Sequence, residues 1–229
     1  MRVMQLGVAL AAAVLTGCTA SGTLARRIED ELQVRLGPAD RYQVMIAGLD
    51  AGDGEAEHVQ AVGYGIRMRH GPLIDRMQLD LYNVKYDRSV KRLEHADSVL
   101  ATVWVTTNDL GDYLETIDGV GNATVTVAAP DSASIRVRPE IAGIPLPPGA
   151  ALDVSGRMVG KGPYLNFEVS EAGAMGLEAS EGVVRRISRL INPLVDLSDL
   201  PLGLDVSSVA VEGRSVRVDA TGDATTLPR

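Results

Sequence analysis

The chain has 229 residues, a single cysteine and a formal net charge of −8. That acidic balance excludes bulk electrostatic binding to nucleic acid or to anionic headgroups, and aromatic residues at 3% leave few stacking platforms for bases or sugars. With one cysteine no intramolecular disulfide can form, so the fold must rest on an aliphatic core.

Residues 1–17 carry one cation, Arg2, then an apolar run from Val8 to Leu15 and small residues, which is a secretory signal too short to span a bilayer. The run closes in Leu15-Thr16-Gly17-Cys18, which resembles the lipobox of bacterial lipoproteins. The resemblance implies cleavage before Cys18, a diacylglyceryl group on its sulfur and acylation of its new amino terminus. Two or more acyl chains anchor a protein stably, and no later stretch of about 20 apolar residues offers a transmembrane helix. The expected organisation is a signal peptide over 1–17, a lipidated tether over 18–23, one domain over 24–222 and a flexible tail over 223–229. The expected address is the cell envelope, anchored to a membrane through Cys18. Thr19 in place of Asp after the cysteine resembles lipoproteins of the periplasmic face of an outer membrane, where one exists.

Leu24, Ile28, Leu32 and Leu36 recur every four residues and Gly37-Pro38 ends the pattern, which predicts a first amphipathic helix. Alternating runs then predict strands at Tyr42–Ile46, Tyr64–Met68 and Met77–Asp87, the last about 36 Å long at about 3.3 Å per residue. Asn83 breaks its alternation, and a bulge there would curve the sheet. Ala101–Val105 is a further strand, and Thr107-Asn108-Asp109 offers a cap for a short helix through Leu114. Val125 and Val127, with Ile135 and Val137, flank a Pro130-Asp131 turn as a hairpin. Leu152 and Val154, Leu165 and Phe167, and Leu177 mark more strands.

At about 100° per residue, Val183, Val184, Ile187, Leu190, Ile191 and Leu194 fall within roughly 120° of one another. Arg185, Arg186 and Arg189 lie on the other face, so this is a strongly one-sided helix, stopped or kinked by Pro193. Leu200-Pro201-Leu202-Gly203-Leu204 re-enters the core, and Val209 and Val211, with Val216 and Val218, predict a terminal hairpin around Glu212–Ser215. Short strands dominate and both long helices are one-faced. The expected fold is therefore α+β, a curved antiparallel sheet wrapped around amphipathic helices in one domain.

Thr107-Asn108-Asp109-Leu110 with Leu114, the helix over Val183–Leu194, and Leu200–Leu204 leading into the Val-rich hairpin together resemble the LmeA-like family of envelope phospholipid-binding proteins. The resemblance implies a tubular-lipid-binding fold with an apolar tunnel or groove, phospholipid as ligand, and no catalytic residues or cofactor. The lipobox departs from the family, many of whose members carry a plain signal or an uncleaved anchor.

The apolar helix faces and inward strand positions supply the expected lipid-binding set: Leu24, Ile28, Leu32, Ile46, Leu79, Leu81, Val184, Ile187 and Ile191. Any one of them also suits a plain filled core. Burying a CH₂ stabilises by about 0.8 kcal/mol, so a chain of roughly 16 carbons gains on the order of 10 kcal/mol before ordering costs. Asp50, Asp53, Glu55 and Glu57 lack the spacing of a calcium loop and read as a solvated turn. His58, His70 and His95 lack the paired spacing of a zinc site, and no Gly-x-Ser-x-Gly elbow is present. Arg185, Arg186 and Arg189 read as a solvated face that can also meet lipid phosphates. The expected function is sequestration or transfer of phospholipid by a membrane-anchored, non-enzymatic lipoprotein. The alternative is an assembly lipoprotein with a filled core that binds another envelope protein.

Overall fold

The computed structural model describes residues 7–50, 52–68, 71–87, 92–141, 144–145, 151–174, 177–198, 200 and 202–222. Its strands divide between two antiparallel sheets, where the sequence suggested one. The first sheet is built from β1 (Arg41–Ala47), β2 (Glu55–Arg67), β3 (Leu73–Asp87), β4 (Arg92–His95), β5 (Ser98–Thr106), β13 (Leu204–Glu212) and β14 (Ser215–Gly222). Its order is β1-β2-β3-β5-β14-β13, with β4 on the end of β3. The second holds β6 (Val120–Ala128), β7 (Ser132–Ile141), β8 (Ile144–Pro145), β9 (Leu152–Lys161), β10 (Tyr164–Ala174), β11 (Leu177–Glu178) and β12 (Val195–Asp196). Its order is β11-β10-β9-β7-β6, with β12 on β10 and β8 on β7. The middle of the chain thus makes its own sheet, and the terminal hairpin returns to pair Val216 with Val105 and Ala220 with Ala101.

Helix α1 spans Gly7–Leu36 and begins well before the expected Leu24. The Ala- and Leu-rich N-terminal segment has high helix propensity and no proline, so nothing interrupts it before Gly37. Residues 18–23, expected as a tether, are accordingly helical. Gly37 ends the helix at φ 109°, and a Cβ there would meet the Arg67 carbonyl oxygen at 2.4 Å, which only glycine tolerates. Tyr42 donates its hydroxyl to the Gly37 carbonyl at 2.9 Å, and burial pushes the phenol pKa up to about 12. This fastens the end of α1 to the start of β1.

Helix α2 (Thr107–Glu115) is capped by Thr106, one residue earlier than expected, whose side chain accepts from the Asp109 amide. Its Leu110 and Leu114 are fully buried, while Gly111 brings the helix against the Ala123 carbonyl of β6. Helix α3 (Glu181–Ile191) stops at Asn192, which is extended, as expected from the following Pro193. Asn192 then acts as a strand surrogate for β10. Its Oδ1 accepts from the Phe167 amide at 2.6 Å and its Nδ2 donates to the Phe167 carbonyl at 2.9 Å. Leu194, Val195, Leu197, Leu200, Leu202 and Leu204 are all buried, so the expected return of this stretch to the core is observed.

The two sheets meet where β13 crosses the turns of the second sheet. Val206 donates to the Gly162 carbonyl and Val211 to the Pro130 carbonyl. A Cβ on Gly160 would lie 2.4 Å from Val206 Cγ1, so the contact is as close as a bare backbone allows. Both expected hairpins are present, β6–β7 and β13–β14. The switch expected at Asn83 occurs, with Leu81 and Val84 both buried. It is made by a left-handed residue (Asn83, φ 49°) while β2 and β3 remain in register, so no bulge separates that pair.

Candidate functional site

Three of the nine apolar candidates, Leu79, Leu81 and Ile191, are 2%, 6% and 3% exposed and serve as core. Ile28, Leu32 and Ile46 are half-buried and pack against the same core. They meet because α1 lies along β1, where Tyr42, Val44 and Ile46 share a face with Gly63, Ala61 and Val59 of β2. Glu29 reinforces the seat by accepting from the Val44 amide at 3.2 Å. Leu24, one turn before Ile28, is half-buried as well. Arg35, which interrupts the apolar periodicity, is paired with Glu31 at 3.0 Å on the partly exposed flank.

Val184 and Ile187 are half-buried on α3, which packs against β10 of the other sheet. The candidates therefore fall into an α1 group beneath the first sheet and an α3 group against the second. Periodicity identifies an apolar face but not which sheet covers it.

A pocket of about 410 Å³ opens elsewhere, between the start of α2, β6 and the β13–β14 turn. Thr107, Asn108, Asp112, Thr124, Val127 and Arg214 are among its lining residues, and none of the nine candidates is. Its wall is half polar: Arg214 Nη2 donates to Asn108 Oδ1 at 3.2 Å.

The outer face of the first sheet carries a polar ladder that sequence reasoning did not find. Asp80 is its centre, 16% exposed, with His58 Nε2 at 2.9 Å and Gln60 Nε2 donating at 2.9 Å to one oxygen. Gln78 donates to the other oxygen at 2.8 Å. Burial pushes the Asp80 carboxyl up, but the hydrogen bonds from Gln78, Gln60 and His58, with the charge of His58, together hold it below the usual carboxylate range. The ladder continues through Arg76, which donates to Gln78 at 3.1 Å and lies over the Trp104 ring at 4.7 Å. Trp104 donates to Glu212 at 3.1 Å, and Arg217 joins Glu212 to Asp219. Alternation along each strand places these groups on one face; only the strand order brings them side by side.

The remaining polar groups have structural partners. Asp50 Oδ1 accepts from the amides of Gly52 and Asp53, making the acidic stretch a self-bonded turn. Glu55 pairs with Lys85 at 3.0 Å. His95 lies 2.9 Å from Asp97, and His70 falls outside the described residues. No group of three or more metal-ligating side chains occurs among the described residues. Among them, too, no helix is long and apolar enough to cross a membrane. Cys18 lies within α1, but its side chain is outside what the structure describes.

A protein-family model described as LmeA-like phospholipid-binding matches residues 16–221. No curated protein and no solved structure matches the chain.

Proposed function

Because the chain belongs to the LmeA-like phospholipid-binding family, we propose that it is a lipid-anchored envelope lipoprotein that takes phospholipid acyl chains against the apolar face of α1. The protein is a phospholipid-binding protein of the cell envelope, and its family is not one of enzymes. The observation that carries the finer reading is the incomplete cover where α1 lies on β1: Leu24, Ile28 and Leu32 of α1 and Ile46 of β1 stay half-buried. An acyl chain entering there would gain about 0.8 kcal/mol for each CH₂ removed from water. Val184 and Ile187 form a second aliphatic wall, with Ile191 behind them. No covalent step is needed: the chains leave the bilayer while the headgroup stays at the rim, in a tunnel of the tubular-lipid-binding type.

In this reading the protein is exported to the cell envelope. Residues 1–17 would be removed, Cys18 acylated, and residues 18–23 would tether the 24–222 domain close to the bilayer, with 223–229 as a tail. Thr19 favours the periplasmic face of an outer membrane where one exists.

Uptake of a phospholipid bearing a fluorescent acyl chain, by a soluble form beginning at Thr19, tests this reading. Leu32→Glu places a charge on the apolar face and is expected to weaken uptake by roughly thirtyfold or more, about 2 kcal/mol or more of desolvation cost. Val34→Glu, on the same helix at a position 83% exposed, is expected to leave uptake unchanged. Equal uptake by a folded Leu32→Glu protein would remove α1 from the site.

A further inference from the structure

We propose that the exposed edge of α3 is a docking surface for an anionic phospholipid bilayer, separate from the acyl-holding face; the proposal rests on the phospholipid-binding reading above. The apolar arc of α3 is wider than the surface that covers it. Ile191 is 3% exposed, and Val184 and Ile187 are half-buried, whereas Val183 and Leu190 are 45% and 46% exposed. Leu177, just before the helix, is 74% exposed. Val183, Arg186 and Leu190 follow at i, i+3 and i+7, so one helix edge reads aliphatic, cationic, aliphatic.

The three arginines of α3 are not equivalent. Arg185 pairs with Glu181 at 3.2 Å, and Arg189 Nε donates to the Arg185 carbonyl at 3.4 Å. Arg186, between the two exposed aliphatic side chains, has no hydrogen-bond or ion-pair partner among the described residues. Three arginines stand against one glutamate on this helix, in a chain whose net charge is −8. The positive charge is thus concentrated where the aliphatic edge is bare.

That combination matches the interface of a bilayer. A guanidinium at headgroup level meets lipid phosphates while flanking aliphatic chains enter the acyl boundary. An anionic leaflet attracts each cation near its surface and acts only within a Debye length, so a local cluster suffices on an acidic protein. A stable protein partner would need about 800 Å² on this side, well beyond three aliphatic side chains.

The test uses the full chain with Cys18→Ser, which leaves an introduced cysteine as the only thiol. An environment-sensitive fluorophore is attached at Leu190→Cys, and in a reference protein at Met45→Cys, a position 62% exposed on β1. With vesicles of phosphatidylglycerol and phosphatidylcholine, the label at 190 should shift to the blue and be quenched by brominated lipid. The label at 45 should do neither, and phosphatidylcholine alone should give little response at either site. Adding Arg186→Glu should raise the vesicle lipid required by roughly thirtyfold, about fivefold for each of the two charge units changed. A label at 190 that stays in water with anionic vesicles overturns the proposal. So does a blue shift without vesicles that grows with protein concentration, because it identifies a second copy as the occupant. Bound phospholipid is measured on the same samples. Phospholipid present with the 190 label in water overturns docking alone, whereas its absence, with none taken up, overturns the parent reading.

Discussion

Asp80 shows how one carboxylate organises a sheet surface. Its two oxygens gather donors from β2 and β3, and the neighbouring Arg76, Trp104, Glu212 and Arg217 extend the ladder to β13. Since the folded state holds its pKa below the ordinary value, its contribution to stability is present above the unfolded pKa of about 4 and is lost as pH falls through the lowered folded value. Asp80→Asn turns an acceptor towards its donors into a competing donor and should cost about 1–3 kcal/mol near neutral pH. In denaturant titrations the gap from the parent protein should shrink below about pH 4. A gap that persists unchanged into acid would show that the carboxylate charge is not what matters. None of this could be read from the sequence, where His58 was legible only as a histidine without a metal partner; Asp80 and His58 are joined by strand register, not by spacing.

At the level of elements the sequence was informative where periodicity is local. The hairpin of β13 and β14, the hairpin of β6 and β7, the capped α2 and the face switch at Asn83 were all legible, because alternation, turn residues and caps act within a few positions. What was not legible was how far elements continue and what they pair with. The end of α3 falls at the stop that Pro193 predicts, but the bonding of the Asn192 side chain to Phe167 on β10, a contact across 25 residues, was not legible. The start of α1 moved to Gly7 because helix propensity runs unbroken through the apolar N-terminal segment into the amphipathic stretch after it. Gly160 is the clearest cost of two sheets in contact. Gly160→Val would drive methyl groups into Val206 and is expected to destabilise by about 1–3 kcal/mol or more. Thermal unfolding would show it as a lowered midpoint, and a midpoint within error of the parent would mean that β9 and β13 do not meet as described.

Over the whole molecule, the α+β class and the antiparallel pairing were legible, and the division into two sheets was not. Leaving the first sheet at α2 and rejoining it through β14 is a decision about non-local partners, and an aliphatic strand with one apolar face suits either sheet. The same ambiguity separates the lipid-binding candidates. Periodicity placed Leu79, Leu81 and Ile191 beside Leu24, Ile28, Leu32 and Ile46 in one set, whereas burial sorts the first three into closed core, at two different sheets, and leaves the others half-buried. The proposed function has acyl chains enter the half-covered face of α1 and occupy part of the core. An assembly lipoprotein would instead keep that core filled. Native mass spectrometry with lipid extraction on a soluble form beginning at Thr19, purified without detergent, separates the two most directly. The account predicts a co-purified phospholipid in a defined ratio to protein, replaceable by added phospholipid; protein that arrives lipid-free and takes up none would contradict it.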